Sequence, residues 1–474
     1  MRIINPIKFG TDGWRGIIAE DFTFDNVRLC AQAFAEYLKE SGQAEKGLVI
    51  GYDTRFASED FARAAAEVAA GNGIHVRLSP KATPTPVISY GVTALGAGGG
   101  IVITASHNPP QWNGFKIKSE DGTSAPPDVI SRIEERLAGT EKVNRLSLPE
   151  GIDRGLIEYS DLKQLYINNV KAMFDLDSLK RKRLRIVVDS MYGAGAGYFK
   201  ELLSGGAIEI IELNAGRNPS FPGIKQPEPI APNLGGLSVR VGEARADIGL
   251  ATDGDADRLG VVNENGRFIS QLQVLALLAF YFLEVRGERG AIIKTLTTTR
   301  MLDRLGEIYG VPVIETKVGF KYIAEAMKQN DALIGGEESG GYAFRGHLRE
   351  RDAILSGLYF LDFMAKTGKR PSVLLEHLFG IVGPHHYDRL DIDFPPRKRQ
   401  EITERVKNSS PEAIMGVGVA GRDSTDGFRF KMDDGSWLLI RFSGTEPLLR
   451  IYAESESPER VAGLLGAGRE IAGV

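Results

Sequence analysis

Short β-branched runs alternate with longer helix-patterned segments, and this rhythm restricts the chain to α/β architectures. Leu48-Val49-Ile50-Gly51-Tyr52, Gly100-Ile101-Val102-Ile103, Arg185-Ile186-Val187-Val188, Asp247-Ile248-Gly249-Leu250 and Ala291-Ile292-Ile293 have the length and composition of buried strands. Between them, 24–40, 58–70 and 271–285 carry helical patterns. Strands separated by helices form βαβ units and mostly parallel sheets. A length of 474 residues suits three or four domains. The charge-rich stretch 131–161 places a linker near 152, a second boundary follows Val261-Val262-Asn263, and a third falls near Gly380 to Pro384. The predicted divisions are 1–152, 153–267, 268–380 and 381–474. The last is different in kind. Phe428 to Met432 alternates, Asp433-Asp434-Gly435 turns, and Trp437 to Phe442 returns, so a hairpin opens a small α+β unit.

Composition excludes several classes of function. Net charge is −4 with no basic stripe, which argues against nucleic acid as a partner. The longest apolar run, Val274 to Leu283, is too short to span a membrane, and the first residues lack a signal-peptide pattern. The single cysteine, Cys30, sits in an apolar-periodic stretch and reads as core packing. It excludes an internal disulfide framework and fits a reducing compartment. A cytoplasmic protein is expected.

Two motifs stand directly after strands. Ile101-Val102-Ile103 runs into Thr104-Ala105-Ser106-His107-Asn108-Pro109, and Ile248-Gly249-Leu250-Ala251 runs toward Asp253-Gly254-Asp255-Ala256-Asp257-Arg258. Ligands of open α/β sheets sit outside the carboxyl ends of strands, so a site between domains is expected. Asp253, Asp255 and Asp257 alternate, and on an extended loop their carboxylates point the same way. Such a trio repels itself unless a cation is held, and oxygen-only ligands favour Mg²⁺. Ser106 either caps its loop or serves as a nucleophile; beside a metal loop the second reading gains. A serine with a hard-metal carboxylate cluster suits phosphoryl transfer. His107 either orients that hydroxyl or its phosphate, or makes a loop hydrogen bond. Lys116 either returns to the serine loop, where nearby cations would lower its pKa and let it move protons, or makes a surface ion pair. In Gly335-Gly336-Glu337-Glu338-Ser339-Gly340-Gly341 the polar groups suit sugar hydroxyls or a plain acidic turn. In Arg441-Phe442-Ser443-Gly444-Thr445-Glu446-Pro447 the arginine, the hydroxyls and the glycine allow phosphate contacts, although a strand-to-loop turn could carry the same residues.

These four motifs, in this order and preceded by Lys8-Phe9-Gly10-Thr11-Asp12-Gly13-Trp14-Arg15-Gly16, resemble the α-D-phosphohexomutase superfamily over nearly the whole chain. The resemblance implies four domains around a central cleft: three similar α/β units with mixed sheets and a C-terminal α+β domain. It implies that Ser106 carries a phosphoryl group, and that Asp253, Asp255 and Asp257 hold Mg²⁺ with a phosphoserine oxygen. Arg15 and Lys116 would flank the phosphoserine, with Lys116 transferring protons, and Arg258 would order the site. Glu337 and Ser339 would read sugar hydroxyls, and Arg441, Ser443, Gly444 and Thr445 would grip the non-reacting phosphate. Lys321, His347 and Arg351 fall in stretches that resemble those of phosphoglucomutases. Arg351 stands where that pattern has lysine, so phosphate contact survives there while acid/base chemistry is lost. Mannose-accepting relatives often have methionine where Glu338 stands. Dual-specificity relatives have histidine where Gly341 stands, a loss that His347 or Lys321 would cover.

The expected activity is interconversion of α-D-glucose 1-phosphate and glucose 6-phosphate, with glucose 1,6-bisphosphate as intermediate and activator. The partners expected are small-molecule sugar phosphates, with no nucleic acid and no membrane, and the protein acts as a monomer or homodimer. Phosphomannomutase, alone or with dual specificity, is the alternative within the class. A serine phosphomonoesterase and a non-catalytic sugar-phosphate sensor are the alternatives outside it.

Overall fold

The computed structural model describes residues 7–140, 142–443 and 448–474. Three α/β units precede a fourth built on an antiparallel sheet, as the resemblance implies. The first sheet has parallel strands Leu48–Tyr52, Val76–Leu78, Gly99–Ile103 and Ile157–Tyr159, with Trp14–Ile17 and Trp112–Lys118 antiparallel at one edge. Its last strand lies beyond the linker expected near 152, inside the charge-rich stretch 131–161. The register Val76 to Ile157 shows why: only one of its three residues is buried, so it has no apolar signature.

The three α/β units repeat one device. A parallel strand ends, a loop follows, and the chain returns antiparallel beside it. Gly99–Ile103 returns as Trp112–Lys118, Ile248–Thr252 as Leu259–Asn263, and Ile334–Gly336 as Tyr342–Phe344. The serine motif, the carboxylate motif and the Glu337-Glu338-Ser339 motif occupy these three loops. Such a loop lies at the carboxyl end of its parallel strand, where the sheet leaves room for a ligand.

One apolar core runs through all three α/β units. Val87 and Val102 of the first, Ile248 and Leu250 of the second, and Leu275 and Phe360 of the third belong to it. The fourth unit has its own core around Ile440, Ile451 and Leu464. A small cluster of Leu296, Trp437, Leu439 and Tyr452 joins it to the third. The helix read over 271–285 is an α-helix only over Gln271–Phe280 and widens to a π turn over Tyr281–Val285. Cys30 is fully buried, as its pattern indicates. Among the described residues no helix is long and apolar enough to cross a membrane.

Candidate active site

Ser106 is displayed by a loop under tension. Its φ is 51°, a left-handed conformation that costs a non-glycine residue energy and persists only when its surroundings enforce it. Thr104 Oγ1 accepts the Ser106 N–H at 2.8 Å and donates to Asp53 Oδ2 at 2.6 Å. The main brace is Arg55, which is fully buried. It pairs with Asp53 at 3.1 Å and donates to the carbonyls of Ser106 and Asn108 at 2.6 Å, Pro109 at 2.9 Å and Trp112 at 3.1 Å. One guanidinium thus gathers four carbonyls of the loop. From the second unit, Arg217 donates to the Thr54 and Arg55 carbonyls, and the Phe221 ring lies 5.2 Å from the Arg55 guanidinium.

The carboxylate loop is wound rather than extended. Ala256 is left-handed at φ 56°, and Asp253 Oδ1 accepts the N–H groups of Asp257 at 2.9 Å and Arg258 at 3.1 Å. The three carboxylates still converge: ligand atoms of Asp253, Asp255 and Asp257 lie within 4.8 Å of one another, and all three residues are fully buried. Burial, then the neighbouring Asp257 and Asp255 charges, raises the Asp253 carboxyl well above its ordinary range. Burial also raises Asp257, against the pull of Arg351. Asp255 goes the other way; burial opposes ionisation, but Lys116 and Thr85 outweigh it.

Ser106 Oγ donates to Asp253 Oδ2 at 2.7 Å, so the first and second units meet at the two predicted loops. Gly254 permits this approach. A Cβ there would lie 2.4 Å from the Ser106 carbonyl oxygen. Asp255 Oδ1 and Asp257 Oδ1 are buried without a hydrogen-bond partner. Unpartnered carboxylate oxygens in a dehydrated, oxygen-only trio fit a small hard dication.

A shell of cations encloses the trio. Lys116 Nζ lies 2.8 Å from Asp12 Oδ2 and Asp255 Oδ2, and 3.3 Å from Asp257 Oδ2. Its nearest neighbours are therefore carboxylates, not the cations expected from sequence. Burial would lower its pKa, but Asp12, Asp255 and Asp257 raise it, so the ammonium stays charged in this arrangement. Arg351 spans the units: it contacts Asp12 at 2.6 Å, Asp257 at 2.9 Å and Glu337 at 3.1 Å. Arg15 donates to Asn108 Oδ1 at 2.7 Å, and Arg258 lies 3.7 Å from Asp257 and 3.4 Å from Glu228. His107 Nδ1 is 3.4 Å from Ser106 Oγ, and burial, then Arg258 and Arg15, holds the imidazole neutral.

The Glu337–Ser339 loop is joined to this shell. Ser339 Oγ donates to Glu337 Oε1 at 2.7 Å, the oxygen that also accepts from Arg351. Lys321 is half-buried, and burial lowers its pKa while Asp12 raises it. Gly341 is the position through which Arg351 passes, since a Cβ there would lie 2.2 Å from Arg351 Cδ. The arginine fills the space that a side chain at 341 would take.

Not every predicted residue joins the cluster. The His347 ring is enclosed, hydrogen-bonded to Asn169 at 3.0 Å and Asp352 at 3.2 Å, and flanked by Tyr90 and Tyr166. Its side chain is 1% exposed and holds Asp352, which caps the helix Ala353–Thr367, so it braces the start of that helix. Arg441 stands on the fourth unit, where Nε donates to Asp426 at 2.9 Å. Ser443 is buried beside it, while Gly444 and Thr445 lie outside the described residues. Sequence reasoning missed Asp12, Arg55 and Thr85. Asp12 lies inside a quoted motif, and Arg55 follows the strand Leu48–Tyr52 closely, a strand-end position that marks it in hindsight. Thr85 donates to Asp255 Oδ2 at 2.5 Å, and nothing in its local sequence signals that.

Three α/β units and an α+β unit, with Ser106 brought against a buried acidic trio and joined through Arg351 to the Glu337 loop, have the plan of an α-D-phosphohexomutase, an intramolecular phosphotransferase. Residues 6–144, 164–266 and 271–381 match the phosphoglucomutase/phosphomannomutase alpha/beta/alpha domains I, II and III, and 399–469 match the C-terminal domain. The chain belongs to the phosphoglucomutase/phosphomannomutase family. It is 34% identical over 460 residues to a phosphoglucomutase/phosphomannomutase of Thermococcus kodakarensis, covering 97% of each chain. It is 34% identical over 467 residues to a "probable phosphoglucosamine mutase" of Methanosphaera stadtmanae, covering 96% of each. A crystal structure from Thermus thermophilus, carrying a provisional phosphomannomutase name, superposes with a TM-score of 0.87 at 38% identity over 99% of both chains.

Proposed function

We propose that this phosphohexomutase interconverts α-D-glucose 1-phosphate and glucose 6-phosphate through phosphorylated Ser106 and bound glucose 1,6-bisphosphate, as a cytoplasmic monomer or homodimer. The observation that carries the reading is the 2.7 Å contact of Ser106 Oγ with Asp253 Oδ2, made across two units inside a buried acidic trio. In the first half-reaction the sugar's free hydroxyl oxygen bonds to phosphorus as the Ser106 Oγ–P bond breaks, and the hydroxyl proton is released. The bisphosphate then turns, its other phosphoryl group returns to Ser106, and the vacated sugar oxygen regains a proton.

Asp253, Asp255 and Asp257 would hold Mg²⁺, which when bound neutralises charge on the transferred group. Arg15, hydrogen-bonded to Asn108 of the serine loop, and Arg258, beside Asp257, would supply fixed positive charge where the phosphoryl group develops its own. Lys116 is the proton-transfer group of this reading. Its ammonium is now held by carboxylates, so it can release a proton only when their charge is met by something else. Neutral His107 orients the serine. Glu337, Ser339 and Lys321 meet the sugar, with Arg351 holding Glu337 in place, and Arg441, Ser443, Gly444 and Thr445 grip the non-reacting phosphate.

The sugar assignment rests on Glu338, which pairs with Arg389 of the fourth unit at 2.8 Å and stands where mannose-accepting relatives often have methionine. A second reading, an amino-sugar phosphate, is favoured by the name of the Methanosphaera relative. A coupled assay of glucose, mannose and glucosamine 1-phosphates with bisphosphate and a divalent cation separates the readings. Glucose 1-phosphate is expected to turn over fastest, and faster turnover of another sugar replaces it. Peptide mass analysis tests the covalent step: a phosphate on the Ser106 peptide, absent from Ser106→Ala, is expected. An unmodified peptide under turnover would remove the phosphoserine.

A further inference from the structure

Arg441 is held by a residue to which no role has been assigned, and that residue reaches into a different unit. Asp426 Oδ1 accepts from Arg441 Nε at 2.9 Å, while Asp426 Oδ2 accepts the Val318 N–H at 3.0 Å. Asp426 lies in the turn between the strands Val417–Asp423 and Phe428–Met432 of the fourth unit. Val318 belongs to the third unit and stands just before the helix Phe320–Asn330, which carries Lys321.

The turn lies flat against Arg441. Gly427 has φ 106°, and a Cβ there would sit 2.9 Å from the Ile440 carbonyl oxygen and 3.0 Å from Arg441 Cβ. The same turn is anchored a second time. Asp423 accepts from Arg429 at 2.6 Å, and Arg429 also donates to Glu315 at 2.7 Å and the Leu296 carbonyl at 3.3 Å, both in the third unit. Val318 further packs against the apolar cluster of Leu296, Trp437, Leu439 and Tyr452.

We propose that Asp426 is a positioning residue for the non-reacting phosphate: it sets the direction of the Arg441 guanidinium and registers it against the third-unit segment that leads to Lys321. The physical reason is the geometry of the fork. A guanidinium held at Nε can still present both Nη groups to a phosphate, whereas a free arginine must lose its rotamer freedom on binding. One carboxylate shared between Arg441 and the Val318 amide also ties the phosphate grip to the position of the neighbouring unit. The inference rests on the reading of Arg441 as a phosphate contact.

The test is a double-mutant cycle on the full chain, with KM and kcat measured for α-D-glucose 1-phosphate at saturating bisphosphate and Mg²⁺. Arg441→Ala is expected to raise KM about 100-fold, and Asp426→Ala to raise it about tenfold with kcat changed less than about threefold. In the Arg441→Ala background, Asp426→Ala is expected to add less than about twofold, because its effect passes through the missing arginine. An unchanged KM in Asp426→Ala, or the same multiplication of KM in both backgrounds, overturns the proposal. Unchanged KM in Arg441→Ala overturns instead the reading of Arg441 on which it rests. Asp426→Asn, which keeps shape and one acceptor, should fall between wild type and Asp426→Ala and shows whether any loss is merely a folding defect.

Discussion

Substituting Gly254 by alanine should separate the two halves of the active site with a single methyl group. The Gly254 φ lies outside the left-handed region, so the substitution does not meet the strain that region imposes. Its cost comes from the facing loop, because the new Cβ would lie 2.4 Å from the Ser106 carbonyl oxygen, where ordinary contact begins at 3.4 Å. That oxygen cannot swing aside, because Arg55 donates to it at 2.6 Å. The loops must therefore part by about 1 Å, which carries the Ser106–Asp253 hydrogen bond from 2.7 Å to about 3.7 Å, beyond hydrogen-bond range. A displacement of about 1 Å at reacting groups costs roughly 100-fold in rate. Gly254→Ala is thus expected to lower kcat about 100-fold in the coupled mutase assay while binding of sugar phosphate changes little. Gly236→Ala is the matched control: it lies in the helix Gly235–Ala244 with open space around its Cβ, and should leave kcat unchanged. A Gly254→Ala enzyme within twofold of wild type would show that the close approach of the loops is not what aligns the serine.

Three further outcomes follow from the same geometry. Arg55→Met should leave the buried Asp53 carboxyl without its cation and release four carbonyls, costing about 3–5 kcal/mol in denaturant unfolding followed by tryptophan fluorescence; a loss below about 1 kcal/mol with full activity would contradict the bracing role. Burial pushes the Asp423 carboxyl up, but hydrogen bonds from Thr425 and the charge of Arg429 outweigh it and hold the group at about 2. A depressed carboxyl stabilises the fold above its unfolded value and loses that contribution as pH falls through the folded one. The stability advantage of wild type over Asp423→Asn should therefore be constant from about pH 5 to 8 and shrink below about pH 4, and growth of that advantage on acidification would sink the assignment. Mg²⁺ at 100 times its dissociation constant should raise unfolding free energy by about 2.7 kcal/mol, a gain that a chelator removes. Asp255→Asn should abolish the gain, and a Mg²⁺-dependent shift that survives in that variant would place the ion elsewhere.

Much of this enzyme is legible locally because its functional loops directly follow buried strands. Ile101 to Ile103 and Ile248 to Ala251 announce themselves by hydrophobicity, and chain continuity then delivers Ser106 and Asp253 to sheet ends. The third such strand, Ile334–Gly336, is short and two-thirds glycine, so its motif was readable while its strand was not. Ile157–Tyr159 was hidden for the opposite reason, being an edge strand with two exposed residues.

Residue types, their order and their spacing determined the family, the α/β plan and the acidic trio, and they marked Ser106 as the candidate nucleophile, because those properties are carried by contiguous segments. The tertiary structure alone decided what surrounds them. Lys116 meets carboxylates rather than cations, Arg351 takes the space beside Gly341, His347 turns into a tyrosine-lined pocket, and Arg55 and Asp426 hold groups far along the chain. Most of these are contacts between distant segments, set by how separately folded sheets and loops pack against one another. Electrostatic environment depends on that packing within a few ångströms, and no local pattern encodes a distance between residues hundreds of positions apart.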